Sequence, residues 1–126
     1  MRVLHIIESA YRGTLEEQDD TIVWLAHCLR NAGAELSLLL KDNAVNYALL
    51  GEDSSGLRFG NWQQTRPPQI SAQLASLIAK QVPVHVVHEH LAERGLVEAP
   101  RLPEVRVVAR AALPSLFEAH DQVWHW

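Results

Sequence analysis

The chain has 126 residues, of which 48% are hydrophobic and 21% charged, with a formal net charge of −4. This is the composition of a folded globular domain, and the negative balance removes the electrostatic case for a nucleic-acid or anionic-membrane partner. No apolar run reaches the roughly 18 residues that span a bilayer, and the N-terminus lacks the pattern of a signal peptide. The single cysteine, Cys28, excludes an intramolecular disulfide and a multi-cysteine zinc site, so we expect a cytoplasmic protein.

The first half of the chain predicts two strands and two helices. Val3 to Ile7 and Leu36 to Leu40 are short apolar runs without alternation, which is typical of strands buried on both faces. Thr14 and Glu17 form a capping box that predicts the start of a helix ended by Gly33. The apolar stripe of that helix comprises Ile22, Leu25, Ala26 and Leu29.

After the second strand, Asp42 or Asn43 is expected to cap a short helix that ends at Gly51. Residues 52 to 69 have no periodicity and predict a long loop, of a length that often forms a lid or a partner contact. The next helix is indicated by the stripe of Ile70, Leu74, Leu77 and Ile78.

The remaining elements alternate in the same way. Val82 to Val87 predicts the third strand, Leu91 to Arg94 a short helix, and Val105 to Val108 the fourth strand. A last helix carries Pro114 in its first turn, and Gln122 to Trp126 predicts the fifth strand. Alternation of strands with helices implies parallel crossovers. We therefore predict one α/β domain over residues 1 to 126, with three layers and a five-stranded, mainly parallel sheet flanked by helices.

Ligands of open parallel sheets bind beyond the carboxyl ends of the strands. We expect the functional edge to include the end of the third strand, from Val84 to His90. The residues at this edge that we predict to bind a ligand are Tyr11, Asn43, His88, Glu89 and His90. For Thr14, Asp42 and Asn43, a role as helix caps explains the residue type equally well.

The segment from His88 to His90 allows two geometries. If the strand continues to His90, the two histidines lie on one face and are weak candidates for sharing a metal ion. If the chain turns after Val87, they diverge and are polar residues at a strand-to-helix junction. His88 could also act as a general acid or base, because imidazole titrates near neutral pH.

The tryptophans indicate surface contacts as well as core packing. Trp24 and His27 lie opposite the apolar stripe of their helix, and a tryptophan there suggests a subunit interface, as does Trp62 in the long loop. Trp124 and Trp126 share one face of the last strand, for which core packing is the simpler interpretation.

Cys28 lies on the flank of the first helix, away from its N-terminus, so it is expected to be a small hydrophobe and not a nucleophile. The chain contains no glycine-rich dinucleotide motif, no phosphate-binding loop and no serine-hydrolase elbow. The sequence therefore predicts no cofactor and leaves catalysis uncertain.

Several short motifs occur in an order that is typical of a known protein family. They are Ala10-Tyr11-Arg12-Gly13, Asp42-Asn43-Ala44-Val45 and Val82-Pro83-Val84, followed by Arg94-Gly95-Leu96 and Ala119-His120-Asp121-Gln122-Val123-Trp124. Across nearly its whole length the chain resembles the DsrE/DsrF-like family, which includes sulfur-relay subunits of the Tus and Dsr type.

The resemblance implies a small parallel α/β domain that assembles into homomeric or mixed trimers or hexamers. Active members carry a persulfide on a cysteine at the end of the third strand, and the matching position here is Val87. The position of a second cysteine in some relatives is His90, and Arg12 is inserted in the family's tyrosine-glycine turn.

The resemblance and the residues allow two functions. The first is a non-catalytic subunit that serves as a binding or assembly partner in intracellular sulfur metabolism or sulfur relay, either as a homo-oligomer or with a cysteine-bearing paralogue. The alternative is a diverged ligand-binding or metal-binding protein, or an enzyme, that uses His88, Glu89 and His90.

Overall fold

The computed structural model of the chain describes residues 1–11 and 20–126. The elements occur in this order: β1 (Arg2–Ile7), α1 (Thr21–Asn31), β2 (Glu35–Leu40), a first 3₁₀ helix (Asp42–Ala48), β3 (Arg58–Phe59), β4 (Trp62–Gln63), α2 (Ile70–Ala79), β5 (Val84–Val87), α3 (His88–Glu93), β6 (Arg106–Val108), a second 3₁₀ helix (Arg110–Ala112), α4 (Leu113–Glu118) and β7 (Gln122–His125). No helix among these residues is long and apolar enough to cross a membrane.

Five strands form one sheet in the order β6-β5-β2-β1-β7, and every neighbouring pair is parallel. The predicted α/β class with a five-stranded, mainly parallel sheet is therefore confirmed. The two short strands β3 and β4 pair with each other outside this sheet.

The direction of the crossovers explains where the helices lie. From β1 to β6 the chain always moves the same way across the sheet, so right-handed crossovers place their helices on one face. The return from β6 to β7 runs the other way and places α4 on the opposite face. We call the face covered by the helices between β1 and β6 the major face, and the face covered by α4 the minor face.

The major face holds most of the core. Side chains of α1, α2, α3 and the first 3₁₀ helix pack there against alternate residues of β2 and β5. The strand residues of this cluster include Leu38, Leu40, Val84 and Val86, and the largest fully buried side chain of the described residues is Tyr47.

The minor face has a smaller apolar cluster, covered mainly by α4. Leu4, Ile6, Leu39 and Val87 of the strands meet Leu113 there, with Leu116 and Phe117 packed at its margin. Buried polar residues share this face. His85 is paired with Leu39 across the strands, and Ser37 lies two residues before Leu39 on β2.

Helix α1 begins later than the capping-box motif predicts. Its N-cap is Asp20, whose Oδ1 accepts from the backbone N–H groups of Ile22 at 2.8 Å and Val23 at 3.4 Å. The predicted capping residues Thr14 and Glu17 lie outside the described residues. The buried stripe also differs from the prediction, since it comprises Ile22, Val23, Ala26 and His27.

Asp42 and Asn43 do not cap a helix, which corrects that prediction. The N-cap position of the first 3₁₀ helix is Lys41, and no side chain accepts a hydrogen bond there. Asp42 has a φ of 48°, and its backbone N–H donates to the Nδ1 atom of His90. This hydrogen bond to α3, and not a capping interaction, fixes the backbone conformation of Asp42.

The predicted loop between residues 52 and 69 contains a hairpin. Phe59 pairs with Trp62 across β3 and β4, and their rings stack at 5.8 Å. Gly60 supplies the positive φ of 57° that the tight turn requires. At the base of the segment, Asp53 forms a bridge with Gln69. The sequence of this segment shows no periodicity because its strands, of only two residues each, are too short to produce an alternating pattern.

The third strand of the main sheet, β5, ends at Val87, and His88 already begins α3. Of the two geometries that the sequence allows for His88 to His90, the structure therefore has the one in which the chain turns after Val87. A helix advances about 100° per residue, so the side chains of His88 and His90 point in different directions.

Candidate functional site

The carboxyl ends of β1, β2 and β7 bring the side chains of Glu8, Lys41 and His125 together. The Oε1 atom of Glu8 lies 3.1 Å from Nζ of Lys41 and 2.8 Å from Nε2 of His125. Burial raises the pKa of Glu8, but the hydrogen bonds and positive charges of Lys41 and His125 outweigh it and lower the pKa. These two partners therefore favour the ionised form of the Glu8 carboxylate.

Next to this triplet, the ends of β2 and β5 are joined through His90. Its Nδ1 atom accepts the Asp42 backbone N–H at 2.8 Å, so that nitrogen carries no proton. The Asp42 carboxylate lies 3.7 Å from the same nitrogen. Because Nδ1 acts as an acceptor, we interpret this pair as a packed contact and not as an ion pair.

Arg94 connects His90 to Asn43. One guanidinium nitrogen donates to the His90 carbonyl at 3.2 Å, while Nε and Nη2 donate to Oδ1 of Asn43 at 3.4 and 3.2 Å. The structure therefore unites two of the five predicted ligand-binding residues through a residue that the sequence reasoning did not select.

Tyr11 belongs to a separate group. Its hydroxyl donates to Oε2 of Glu52 at 2.5 Å, and burial together with this carboxylate raises the pKa of Tyr11 to about 12. Its backbone N–H donates to the Tyr47 hydroxyl, which donates in turn to Oδ2 of Asp20 at 2.8 Å. The buried Asp20 thus joins the turn after β1 to the start of α1.

His88 and Glu89 complete the predicted set and lie apart from the others. His88 is exposed, whereas the Glu89 carboxylate accepts the backbone N–H of Arg110 at 2.6 and 3.1 Å. Over residues 1–11 and 20–126, no group of three or more His, Cys, Asp or Glu side chains could hold a metal ion. The geometry in which His88 and His90 share a metal does not occur.

Val87 ends β5 at this edge, and its side chain has no exposed surface. It packs with Leu4, Ile6, Leu39 and Leu113 in the cluster of the minor face. The position at which the resemblance implies a sulfur-carrying cysteine is therefore an apolar, closed position in this chain.

Both tryptophans predicted to form subunit contacts lie at the surface. Trp24 is 55% exposed on α1, and Trp62 is 39% exposed on the hairpin, beside the exposed ring of Phe59. The prediction that His27 faces away from the core is wrong, because His27 is buried and its Nε2 atom bonds the Gln73 carbonyl at 3.0 Å. Cys28 is exposed.

Several residues of this edge were missed by sequence reasoning. Glu8 directly follows the first strand, so its position gave a usable signal. His125 lies between Trp124 and Trp126, and only the pairing of β7 with β1 brings it to Glu8. Arg94 is four residues after His90 on a helical segment, a spacing that predicts contact once the helix is known to begin at His88.

No protein family profile matches the chain, and no curated protein matches it in sequence. Among solved structures, the crystal structure of the ychN protein from E. coli is similar to it, with a TM-score of 0.73 and 22% identity. The match covers 99% of this chain and 98% of that one. The ychN protein has a DsrE/DsrF-like fold, so the comparison supports that fold for this chain.

Proposed function

We propose that this chain is a non-catalytic DsrE-like subunit that serves as a binding or assembly partner in intracellular sulfur metabolism or sulfur relay. The observation that carries the proposal is Val87. Its fully buried aliphatic side chain occupies the end of β5, where the resemblance places the sulfur carrier. Valine has no group that can form a persulfide.

The polar contacts at the carboxyl edge of the sheet support the same proposal. Glu8 is engaged by Lys41 and His125, while the carbonyl of His90 and the amide oxygen of Asn43 accept from Arg94. Groups that satisfy one another in this way stabilise the edge of the sheet. A nucleophile would instead need an adjacent base with an open approach to substrate.

The partner we propose is either further copies of this chain, in a trimer or hexamer, or a cysteine-bearing paralogue in a mixed oligomer. Exposed aromatic side chains support such contacts, since burying an aromatic ring contributes strongly to association. The exposed aromatic residues are Trp24 on α1 and the stacked pair of Phe59 and Trp62 on the hairpin. We place this assembly in the cytoplasm, where Cys28 would stay reduced.

Light scattering coupled to gel filtration at micromolar concentration tests the assembly. We expect an oligomer that Trp24→Ser or Trp62→Ser shifts toward the monomer. Val107→Ser, which changes another exposed apolar residue, is the matched control and should leave the mass unchanged. A wild-type chain that stays monomeric both alone and with a cysteine-bearing paralogue would contradict the proposal.

A sulfur-transfer assay tests the absence of a catalytic role. Cys28→Ser removes the only thiol of the chain, and we expect it to support transfer by a cysteine-bearing partner at the wild-type rate. Loss of transfer in this variant, with the complex intact, would show that the chain itself carries sulfur.

The alternative, a diverged enzyme or ligand-binding protein using His88, Glu89 and His90, has weaker support. These three side chains do not converge, because His90 bonds Asp42, Glu89 bonds Arg110 and His88 is exposed. Metal analysis of untagged protein provides its test, and bound metal in stoichiometric amount would favour it over the first proposal.

A further inference from the structure

A second group of reactive side chains lies at the opposite, amino-terminal edge of the sheet. A cavity of about 280 Å³ opens there beside the starts of β1 and β2, and Ser37 and His120 line it together with Arg2 and Arg30. None of these residues belongs to the candidate site at the carboxyl edge. A function of this cavity is therefore independent of the proposed function, in which the word non-catalytic refers to sulfur transfer at the carboxyl edge alone.

Ser37 and His120 are joined in a chain of hydrogen bonds. The Nδ1 atom of His120 lies 2.8 Å from the Leu116 carbonyl, and its Nε2 atom lies 3.0 Å from the Ser37 hydroxyl. A carbonyl oxygen can only accept, so Nδ1 carries the proton. In the neutral ring Nε2 is then the acceptor, and the hydroxyl of Ser37 donates to it.

This arrangement contains the parts of an activated serine. A serine nucleophile needs a base within about 2.6 to 3.2 Å and a third group that fixes the tautomer of the base. His120 is the base, and the Leu116 carbonyl takes the orienting role that a carboxylate has in many hydrolases. Ser37 lies on the central strand β2, which holds its hydroxyl rigidly.

Two arginines and one carboxylate, that of Glu35, line the cavity, so its lining has a net positive charge. Arg30 is anchored by hydrogen bonds from Nε to the Lys80 carbonyl at 2.9 Å and from Nη1 to the Ala34 carbonyl at 3.2 Å. Within the described part of the chain, no ion pair is formed by Arg2 or Arg30. Guanidinium groups stabilise the oxyanion of acyl transfer and attract anionic substrates.

We propose that Ser37 is the nucleophile and His120 the general base of a hydrolytic site for small acyl esters that carry a negative charge. The oxygen of Ser37 attacks the ester carbonyl carbon while its proton moves to Nε2 of His120. The bond to the leaving alkoxide then breaks, and His120 returns the proton to that oxygen. Water, deprotonated by His120, cleaves the Ser37 ester, which releases the carboxylic acid and restores the hydroxyl.

Ser37 is only 4% exposed, and a hydroxyl buried in this way also needs a partner for stability alone. Chemical reactivity separates the two roles. A serine that merely satisfies its hydrogen bond does not react with a fluorophosphonate, whereas an activated serine forms one covalent adduct. The extent of labelling is read from the mass of the intact protein, and the labelled residue from peptide mapping.

We expect one adduct per chain, located on Ser37, together with hydrolysis of mono-p-nitrophenyl succinate. Ser37→Ala should abolish both, and His120→Gln should slow both by about 100-fold, the usual contribution of a general base. The matched controls are Ser71→Ala and His27→Gln, which change another buried serine and another buried histidine and should react like wild type. Absence of an adduct on Ser37, or equal rates in Ser37→Ala, would overturn the proposal.

A second measurement remains decisive if Ser37→Ala does not fold. Ser37→Cys in a Cys28→Ser background places a single thiol beside His120. We expect its alkylation by iodoacetamide to persist at least one pH unit below that of an ordinary thiol, because the imidazole accepts the proton. Adding His120→Gln should remove this extension. An ordinary pH profile in the Ser37→Cys protein would overturn the assignment of His120 as base.

Discussion

The two faces of the sheet are covered very differently. Three helices and a 3₁₀ segment close the major face, whereas the six residues of α4 are the main cover of the minor face. The strands reflect this difference. On the major face β2 and β5 present only leucine and valine, while on the minor face they present Ser37 and His85 at buried positions. Within these two strands, the buried polar side chains are thus placed on the thinly covered face.

The difference in cover between the two faces indicates which face contributes most to stability. Apolar area removed from water is the dominant source of folding free energy, and most of it lies on the major face. Each face has one buried side-chain nitrogen that lacks a hydrogen-bond partner within the described part of the chain. Among the described residues, Nδ1 of His85 has no hydrogen-bond partner. One buried nitrogen on the major face shares this property, Nε2 of His5, which lies against Trp124 and Trp126 of the edge strand β7.

A core truncation on each face tests this comparison, and we expect it to cause the largest loss in the free energy of unfolding. Leu77→Ala on the major face should lower the free energy of unfolding by about 4 kcal/mol, because the fully buried site cannot collapse. Leu113→Ala on the minor face should cost about 2 kcal/mol, since Leu113 is 8% exposed and lies on the short helix α4. Urea denaturation with a constant m-value measures both.

Equal costs for Leu77→Ala and Leu113→Ala would break the comparison, since the two faces would then contribute alike to stability. An exposed truncation, Leu50→Ala, is the control and should change the free energy of unfolding by less than about 0.5 kcal/mol.

The next effect concerns the polar group that supports the major face. Asp20→Ala removes the N-cap of α1 and the acceptor of the Tyr47 hydroxyl, so we expect a loss of about 3 kcal/mol in thermal or chemical unfolding. Asp53→Ala is the matched control. Asp53 bonds the Ala72 N–H in the first turn of α2 from an exposed position, and its loss should cost about 0.5 kcal/mol.

A cost below about 1 kcal/mol for Asp20→Ala would mean that water replaces both hydrogen bonds. The site of Asp20 at the start of α1 would then be more accessible to water than its burial indicates.

The sequence predicted the elements that are defined by local pattern. The stripe from Ile70 to Ile78 indicated helix α2, and the apolar runs indicated β1 and β2 within one residue of their observed bounds. It failed where a distant contact decides the structure. The N-cap prediction for Asp42 was overridden by a hydrogen bond to His90, which is 48 residues away. Two-residue strands such as β3 are too short to show alternation.

The candidate sites were predicted less completely for the same reason. Strand ends were recognised as a polar edge, but which polar groups meet depends on strand order, which local pattern does not encode. Ser37 and His120 are 83 residues apart and become neighbours only because α4 packs on the minor face. Nothing near either residue in the sequence signals the other.

A pH titration of stability examines the minor face through His85. Burial, followed by the charges of Arg106 and His120, lowers the pKa of His85 from 6.5 to about 4. The unfolded chain therefore binds the proton more readily between these values, and the free energy of unfolding must fall as the pH drops from 6.5 toward 4. We expect a loss of about 2 kcal/mol over this range, allowing for solvent at the thin face.

His85→Leu should flatten that pH dependence, leaving the smaller contribution of His5, whose pKa is also lowered by burial. His88→Leu changes an exposed histidine and is the control. If the free energy of unfolding of His85→Leu depends on pH as it does in the wild type, the minor face is open enough to solvate an imidazolium. The minor face would then be even less closed, relative to the major face, than its burial indicates.

The smallest effect belongs to the carboxyl edge, which neither face covers. Lys41→Met removes one cation from Glu8 but leaves His125 in place, and partly exposed ion pairs contribute little, so we expect a change below about 0.5 kcal/mol near neutral pH. Raising the salt concentration to about 1 M should remove even this difference. A loss above about 1.5 kcal/mol would mean that Glu8 depends on Lys41 as a buried charge does. The edge would then have to be treated as part of the core, and the division of the fold into two unequal faces would no longer describe where its stability lies.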